Sequence, residues 1–123
     1  MKIKALSLHQ PWAELIASGV KTIETRTWAT HHRGELLICS TQRPCDTPGV
    51  YYGSAVALVD LIDCRHMTEA DEQAAGCKLY YHAFAWVLGN IRRIVPFAVR
   101  GKHRLFDVDT VRLVVVACTE APP

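Results

Sequence analysis

Apolar and polar residues along most of this chain follow the short periods typical of β-strands. Residues 3–8, 33–41 and 54–64 carry apolar side chains at alternate or consecutive positions, which is the pattern of half-buried or fully buried strands. Shorter runs of the same kind lie at residues 21–26, 83–91, 104–109 and 111–118. From these runs we predict five to six strands.

Two segments instead carry helix signals. Residues 10–19 space apolar side chains three and four apart, with Pro11 suited to the first helical position and Gly19 to a left-handed residue after the end. Residues 68–76 open with Thr68 ahead of acidic residues and close at a glycine, as a short capped helix does. Short strands with tight turns and two short helices predict a mainly β, α+β fold, a small β-barrel.

Length and composition indicate one domain with a real core. The chain has 123 residues, half of them hydrophobic and 21% charged, and neither a linker nor an internal repeat divides residues 1–123. Its net charge of +2 is too small for a histone-like binder. Any contact with nucleic acid must therefore come from a local patch of charge.

The cysteines and the apolar runs bear on location. Five cysteines without a C-x-x-C spacing favour a reduced, intracellular protein. The first residues are not apolar enough for a signal peptide, and no run approaches the roughly 20 residues that span a bilayer. We therefore expect a cytoplasmic protein without membrane contact, while its oligomeric state stays open.

Chemistry is concentrated in the stretch "GVKTIETRTW", residues 19–28. On an extended strand Glu24, Arg26 and Trp28 share a face, and Lys21 can turn back toward Glu24 just after Gly19. In a dry cleft a Lys–Glu pair would tune each other's protonation, and Arg26 would offer a planar fork to phosphate, carboxylate or a base edge. The alternative is a solvated strand whose ion pair stabilises by a fraction of a kcal/mol.

Three further groups of residues are candidates with ordinary alternatives. His9 and Gln10 precede the first predicted helix, where they either bind an anion or merely cap the helix, with Trp12 in the core. The basic segments 31–34 and 100–104 either border a phosphate groove or form solvated loops. Cysteines and histidines also gather along the middle of the chain, but their spacing does not match structural zinc sites, so we expect no metal and no cofactor. The residues of that group are Cys64, His66, Cys77 and His82.

The order and spacing of several segments resemble the ASCH family, named after a eukaryotic transcription coactivator, the activating signal cointegrator. The matching segments are "LSLHQPWAELIASGVKTIETRTW", "RGELLICST", "VALVDLIDC", "FAWVLGNIRRIVPFAVRGK" and "LFDV". The core signature G-x-K-x-x-E-x-R is present as Gly19, Lys21, Glu24 and Arg26. The resemblance implies a fold similar to the PUA RNA-binding domain, a small β-barrel with a cleft beside the signature strand.

The resemblance also implies candidate ligand contacts and a function. The coactivator-type domains, which the chain resembles better than the small bacterial ones, are associated with nucleic acid. We therefore predict binding of RNA, single-stranded nucleic acid or a nucleotide-like ligand, with phosphate near Lys21 and Arg26, a base edge at Glu24, and Trp28 or His9 stacking. The predicted contacts are His9, Gln10, Trp12, Lys21, Glu24, Arg26, Trp28, Arg33, Ser40 and Lys102.

Two other functions stay open. Some small bacterial relatives hydrolyse N(4)-acetylcytidine with a lysine, a threonine and a glutamate, so Lys21 and Glu24 would be the catalytic pair of an amidohydrolase. Here Glu24 stands at the threonine position, and neighbouring threonines would point to the other face of a strand. Glu69 and Glu72 are candidates for the remaining glutamate. The third possibility is a small sensor or protein-interaction module.

Overall fold

A computed structural model describes residues 1–117 of the chain. Six strands form one sheet in the order β2-β5-β4-β3-β1-β6. Their bounds are β1 Lys2–Leu8, β2 Ile23–Arg26, β3 Gly34–Ser40, β4 Ser54–His66, β5 Phe84–Ala98 and β6 Phe106–Asp109. Strands β1 and β3 are parallel, and the other neighbours are antiparallel.

The long central strands curl the sheet. The pairing of β4 with β5 shifts register at three places, and that of β3 with β4 shifts at Ile38/Cys39. Each such bulge bends its strand and increases the local twist. The curl brings β2 back to β1, where Arg26 Nη2 donates a hydrogen bond of 2.9 Å to the Ser7 carbonyl. The expected barrel shape is therefore present, although within residues 1–117 the edge strands do not pair.

Apolar side chains cover both faces of the inner strands. Leu6 and Leu8 of β1 pack with the first helix, α1 (Trp12–Ala17), on one face, while Ile3 and Ala5 pack on the other. Trp86 is fully buried, and its ring meets that of Trp28 edge to face at 4.9 Å. The fold thus has a core on each side of the sheet, and the cleft described below opens where β1, β2 and α1 meet.

The first helix is shorter than predicted. Helix α1 spans Trp12–Ala17: Pro11, predicted at the first helical position, lies instead at the N-terminal cap, and Gln10 precedes it. The Gln10 Oε1 atom accepts a 2.9 Å hydrogen bond from the Glu14 amide, which satisfies one of the free N–H groups of the first turn. Gly19 has the predicted left-handed backbone, with φ of +82°.

The second helical segment matches its predicted position. A 3-10 turn at Glu69–Asp71 leads into the short helix α2, Glu72–Ala75. Thr68 and Asp71 form a reciprocal capping box, and Gly76 ends the helix with φ of +69°. No helix within residues 1–117 is long and apolar enough to cross a membrane.

Two strand predictions were wrong in extent. Strand β5 continues to Ala98 rather than ending near residue 91, because the bulges let it follow β4 for its whole length. The predicted strand 111–118 does not form over its described residues, 111–117: a 3-10 turn occupies Thr110–Arg112, and Val115 makes an isolated bridge to Ile94. The Asp109 carboxylate accepts a hydrogen bond from the Val111 amide, which turns the chain out of β6. Cys118 lies outside the described residues.

Candidate functional site

A cleft of about 330 Å³ lies along the free edge of β2. The end of β1 and the start of α1 form one wall, and α2 with the loop after it forms the other. We call this space the inner cleft. Its lining residues are Leu8, His9, Trp12, Lys21, Glu24, Thr25, Arg26, Ala75, Cys77 and Tyr80.

Lys21 enters the inner cleft from the turn that follows α1. Its backbone amide donates to the Leu15 carbonyl at 3.0 Å, and its side chain is 5% exposed. The ammonium donates a hydrogen bond to the Ala75 carbonyl at the end of α2. It also lies 3.5 Å from Glu24 Oε1 and 5.7 Å from the centre of the Trp12 ring. The predicted return of Lys21 toward Glu24 is therefore confirmed.

The carboxylate of Glu24 lies between two cations. Its Oε2 atom is 3.1 Å from Arg26 Nη2 on the same strand, and its side chain is only 11% exposed. The solvated-strand alternative is wrong for Lys21 and Glu24, because both residues are buried. A carboxylate has about four acceptor positions, so Glu24 retains capacity for an N–H donor. Two cations around one anion leave the group with an excess positive charge, which favours a polar or anionic ligand.

The residues before and at the start of α1 take different roles. Trp12 is 41% exposed on the wall of the inner cleft, so the alternative that placed it in the core was wrong. His9 also lines the cleft, and its Nδ1 lies 2.7 Å from Thr41 Oγ1. Gln10 is 5% exposed and does not line the cleft; its Nε2 donates to the Tyr51 carbonyl. Gln10 is therefore a capping residue.

A second, wider cleft of about 640 Å³ adjoins the first. His9 and Arg26 line both spaces. We call this one the basic cleft, because it includes the whole 100–104 segment and no carboxylate among its described lining residues. Those residues are Ser7, His9, Arg26, Ser40, Thr41, Gln42, Gly53, Val99, Arg100, Gly101, Lys102, His103 and Arg104.

The predicted contacts are thus divided between the two clefts, and some lie outside both. Ser40 and Lys102 line the basic cleft. Trp28 lines neither cleft; it supports the Arg104 guanidinium, whose carbon lies 4.1 Å from the ring centre. Arg33 also lies outside both clefts, where its side chain is 3.7 Å from Asp63. Of the two basic segments, therefore, only 100–104 borders a cleft.

Five residues that line the inner cleft were not predicted from the sequence: Leu8, Thr25, Ala75, Cys77 and Tyr80. Thr25 points to the face of β2 opposite Glu24. Because β2 is an edge strand and the inner cleft follows that edge, residues on both faces of β2 line the cleft. Cys77 and Tyr80 follow α2 in the chain, and only the packing of α2 beside β2 brings them to the cleft. Thr22 N donates to the Ala74 carbonyl at 3.0 Å and makes that connection.

The remaining candidate groups do not form a site. Within residues 1–117 no cluster of three or more histidine, cysteine or acidic side chains could hold a metal. His66 instead stacks on Phe84 at 4.7 Å, and Cys77 Sγ lies 3.8 Å from Thr25 Oγ1. Glu69 and Glu72 do not line the inner cleft; Glu72 Oε2 accepts from the Leu79 amide at 2.6 Å.

Sequence comparison identifies relatives of this chain. The sequence model of the ASCH domain family matches residues 6–98. Activating signal cointegrator 1 of Mus musculus is 30% identical over 128 residues, covering 85% of this chain and 22% of the mouse protein. Activating signal cointegrator 1 of Homo sapiens is 29% identical over 131 residues, with the same coverage. The chain therefore spans about a fifth of the length of these relatives.

Comparison with solved structures supports the fold. The crystal structure of ASCH from Zymomonas mobilis is similar with a TM-score of 0.67 at 17% identity, covering 86% of this chain and 87% of that one. A mutant of the same Zymomonas protein gives a TM-score of 0.63, covering 86% and 89% of the two chains. These values confirm the predicted PUA-like β fold.

Proposed function

Because the chain belongs to the ASCH domain family, we propose that it binds RNA, single-stranded nucleic acid or a nucleotide-like ligand in the inner cleft beside β2. The observation that carries the proposal is the convergence of Lys21, Glu24 and Arg26 in a cavity with an exposed tryptophan on its wall. Buried charges are costly unless they are paired or used. Here Lys21, Glu24 and Arg26 pair with one another, with one positive charge in excess, and they face the opening of the inner cleft.

The size of the inner cleft favours a single base. At about 330 Å³ it is near the lower end of the range for small-molecule pockets, roughly 300–1,000 Å³. A stacked double helix does not present one base to such a space, whereas unpaired bases can be turned out and inserted. Single-stranded nucleic acid or a free nucleotide therefore fits better than a duplex.

Each lining group has a role in this proposal. Glu24 accepts hydrogen bonds from an amino or imino group on the base edge, and Lys21 and Arg26 donate to carbonyl or phosphate oxygens. Trp12 is the stacking surface, because its ring is exposed in the cleft while Trp28 lies beneath Arg104. His9 is placed to contact the ligand where the two clefts meet.

The proposal also includes the cellular location of the protein and the class of its partner. A cytoplasmic location is supported by the described cysteines, because Cys39, Cys45, Cys64 and Cys77 are all free thiols. Membership of the ASCH domain family, which is linked to nucleic-acid interactions, supports a nucleic-acid partner for this domain.

Three substitutions test the proposal in titrations with nucleotides and short single-stranded RNA. Lys21→Ala and Arg26→Ala should each weaken binding by about 1–3 kcal/mol and lower the salt dependence by about one phosphate contact. Glu24→Gln should weaken binding and reduce discrimination among bases, since a charged acceptor selects an N–H donor.

Lys2→Ala is the matched control, because Lys2 is an exposed cation that lines neither cleft. Thermal melts of each variant would separate lost binding from lost folding. Wild-type affinity and salt dependence in folded Lys21→Ala and Arg26→Ala would refute the proposal.

A specific observation supports amidohydrolysis as a second candidate. The Thr25 hydroxyl lines the inner cleft together with Lys21 and Glu24, so a nucleophile and an acid–base pair share one space. Against it, the Lys21 ammonium is already held by the Ala75 carbonyl and Glu24. We therefore place this function second.

Turnover distinguishes the two candidates. We predict slow or no release of acetate from N(4)-acetylcytidine, because Glu24 stands where a hydroxyl nucleophile is needed. The assay follows acetate and cytidine over time with wild type, Lys21→Ala and Thr25→Ala. Sustained hydrolysis that both substitutions abolish would make the amidohydrolase the better reading.

A further inference from the structure

Three cations of the basic cleft differ from most other arginines of the molecule in having no carboxylate partner within residues 1–117. Most arginines that line neither cleft are paired with a carboxylate: Arg33 with Asp63, Arg65 with Asp71, Arg92 with Asp60 and Arg93 with Glu14. By contrast, Arg100, Lys102 and Arg104 lie within 4 Å of no acidic side chain in residues 1–117. With Arg26 they place four cationic side chains around one concave surface, where the shape strengthens the field at an anion.

Two of these cations are held in place before any ligand arrives. The Arg104 guanidinium stacks on Trp28. Arg26 Nη2 is fixed by the Ser7 carbonyl at 2.9 Å and by Glu24 at 3.1 Å. Cations held in position lose little conformational entropy on binding, which is the property of a prepared anion site.

Polar atoms without partners lie on the same surface. Across residues 1–117 two buried side-chain atoms make no hydrogen bond, Ser7 Oγ and Arg26 Nε, and both belong to residues of the basic cleft. A buried polar group without a partner is costly. Both atoms belong to residues around the basic cleft, so this surface carries polar groups that the described residues do not satisfy.

Close packing brings the 100–104 segment onto β1. A Cβ atom at position 101 would lie 2.6 Å from Ser7 Oγ, so glycine lets the backbone approach this closely without displacing the Ser7 hydroxyl. The approach holds the 100–104 segment against β1, with Arg100 and Lys102 on either side of the glycine.

We propose that the basic cleft binds the phosphate of the ligand whose base occupies the inner cleft. The inference rests on the proposed function and makes it specific: the ligand is a nucleoside phosphate unit, as a free nucleotide or within a strand, and not a nucleoside. Because His9 and Arg26 line both spaces, base and phosphate sites are adjacent. That adjacency is what a single nucleotide requires.

Calorimetric titration of the wild-type protein with the four ribonucleosides and their 5′-monophosphates tests this inference. The monophosphates should bind at least about tenfold more tightly than the nucleosides at about 50 mM salt, and this advantage should shrink at about 200 mM. A double variant, Lys102→Gln with Arg104→Gln, should lose most of the advantage and leave nucleoside binding unchanged. Lys2→Gln with Arg112→Gln removes two exposed cations outside both clefts and should keep the advantage.

The outcomes separate this inference from the proposed function. Equal binding of nucleosides and monophosphates, or an advantage that survives Lys102→Gln with Arg104→Gln, overturns the phosphate site while leaving the base site standing. No binding of either class to the wild type overturns both. Dinucleoside monophosphates provide the other phosphate source: tighter binding of the diester assigns the basic cleft to a strand backbone, and tighter binding of the monoester assigns it to a free nucleotide.

Discussion

At the residue scale, the central feature is a buried chain of alternating charge. Lys21 and Glu24 are 3.5 Å apart with side chains 5% and 11% exposed, and Arg26 extends the chain toward solvent. Exposed ion pairs stabilise by at most about 1 kcal/mol, but removing one member of a buried pair leaves a charge without compensation. These residues therefore contribute to folding as well as to the cleft.

This burial leads to a prediction about coupling. Lys21→Met and Glu24→Gln should each lower the free energy of unfolding by about 2–4 kcal/mol, and the double variant by clearly less than their sum, because it removes both buried charges and leaves only the partly exposed Arg26 without its carboxylate. Lys4→Met with Asp107→Asn is the matched control, since that pair is 44% and 52% exposed. Its coupling should stay below about 1 kcal/mol. Urea unfolding of the wild type and of the single and double variants measures the coupling within each pair. Strict additivity at Lys21 and Glu24 would contradict the prediction.

At the element scale, the 3-10 turn Glu69–Asp71 fixes the wall of the inner cleft. Asp71 accepts hydrogen bonds from Arg65 of β4 at 2.7 and 2.9 Å and from the Thr68 amide at 2.9 Å. The Arg65 hydrogen bonds, followed by the Thr68 amide, hold the pKa of Asp71 well below its ordinary value of 3.8. Helix α2 continues directly from this turn and carries the Ala75 carbonyl that holds Lys21.

The depressed pKa of Asp71 predicts a dependence of stability on pH. Asp71→Asn should lower the free energy of unfolding by about 1–2 kcal/mol at neutral pH. A carboxyl with a lowered folded-state pKa stabilises fully above its unfolded value, so the difference from wild type should hold above about pH 5 and shrink as the pH falls below about 4.

Asp63→Asn is the control for that experiment. Asp63 also faces Arg65, at 3.8 Å, but it is 50% exposed, so its effect should stay within about 0.5 kcal/mol. A difference between wild type and Asp71→Asn that is constant from neutral pH to about pH 3 would argue against the ion pair.

At the scale of the whole molecule, local signals predicted the helix ends well, but they did not predict where the long strand β5 ends or what residues 111–117 form. Gly19, Gly76 and the Thr68–Asp71 box marked helix ends correctly, because each acts through its own backbone neighbours. The end of β5 and the fate of residues 111–117 depend on pairing with strands distant in sequence, and bulges there are not visible in a hydrophobic pattern.

The candidate site likewise has one part that local spacing predicts and another part that depends on tertiary packing. Lys21, Glu24 and Arg26 could be grouped from spacing on one short strand. Other features of the site depend on how α2 and the 100–104 segment pack against the sheet. These features are the exposure of Trp12, the position of Thr25 and Cys77 at the inner cleft, and the separation of Trp28 from that cleft. Contacts made by tertiary packing leave little trace in a single sequence.

Within residues 1–117 the sheet that forms the cleft also has two unpaired edge strands, β2 and β6, and this has a consequence for self-association. An unpaired edge strand is a template for another chain, and short length with charged side chains protects it. Strands β2 and β6 are each four residues long, with Glu24 and Arg26 on one edge and Asp107 and Asp109 on the other. The partly exposed Arg26 that suits β2 to a polar ligand therefore also protects that edge from self-association, so Arg26→Ala should become more prone to aggregate as it loses its ligand.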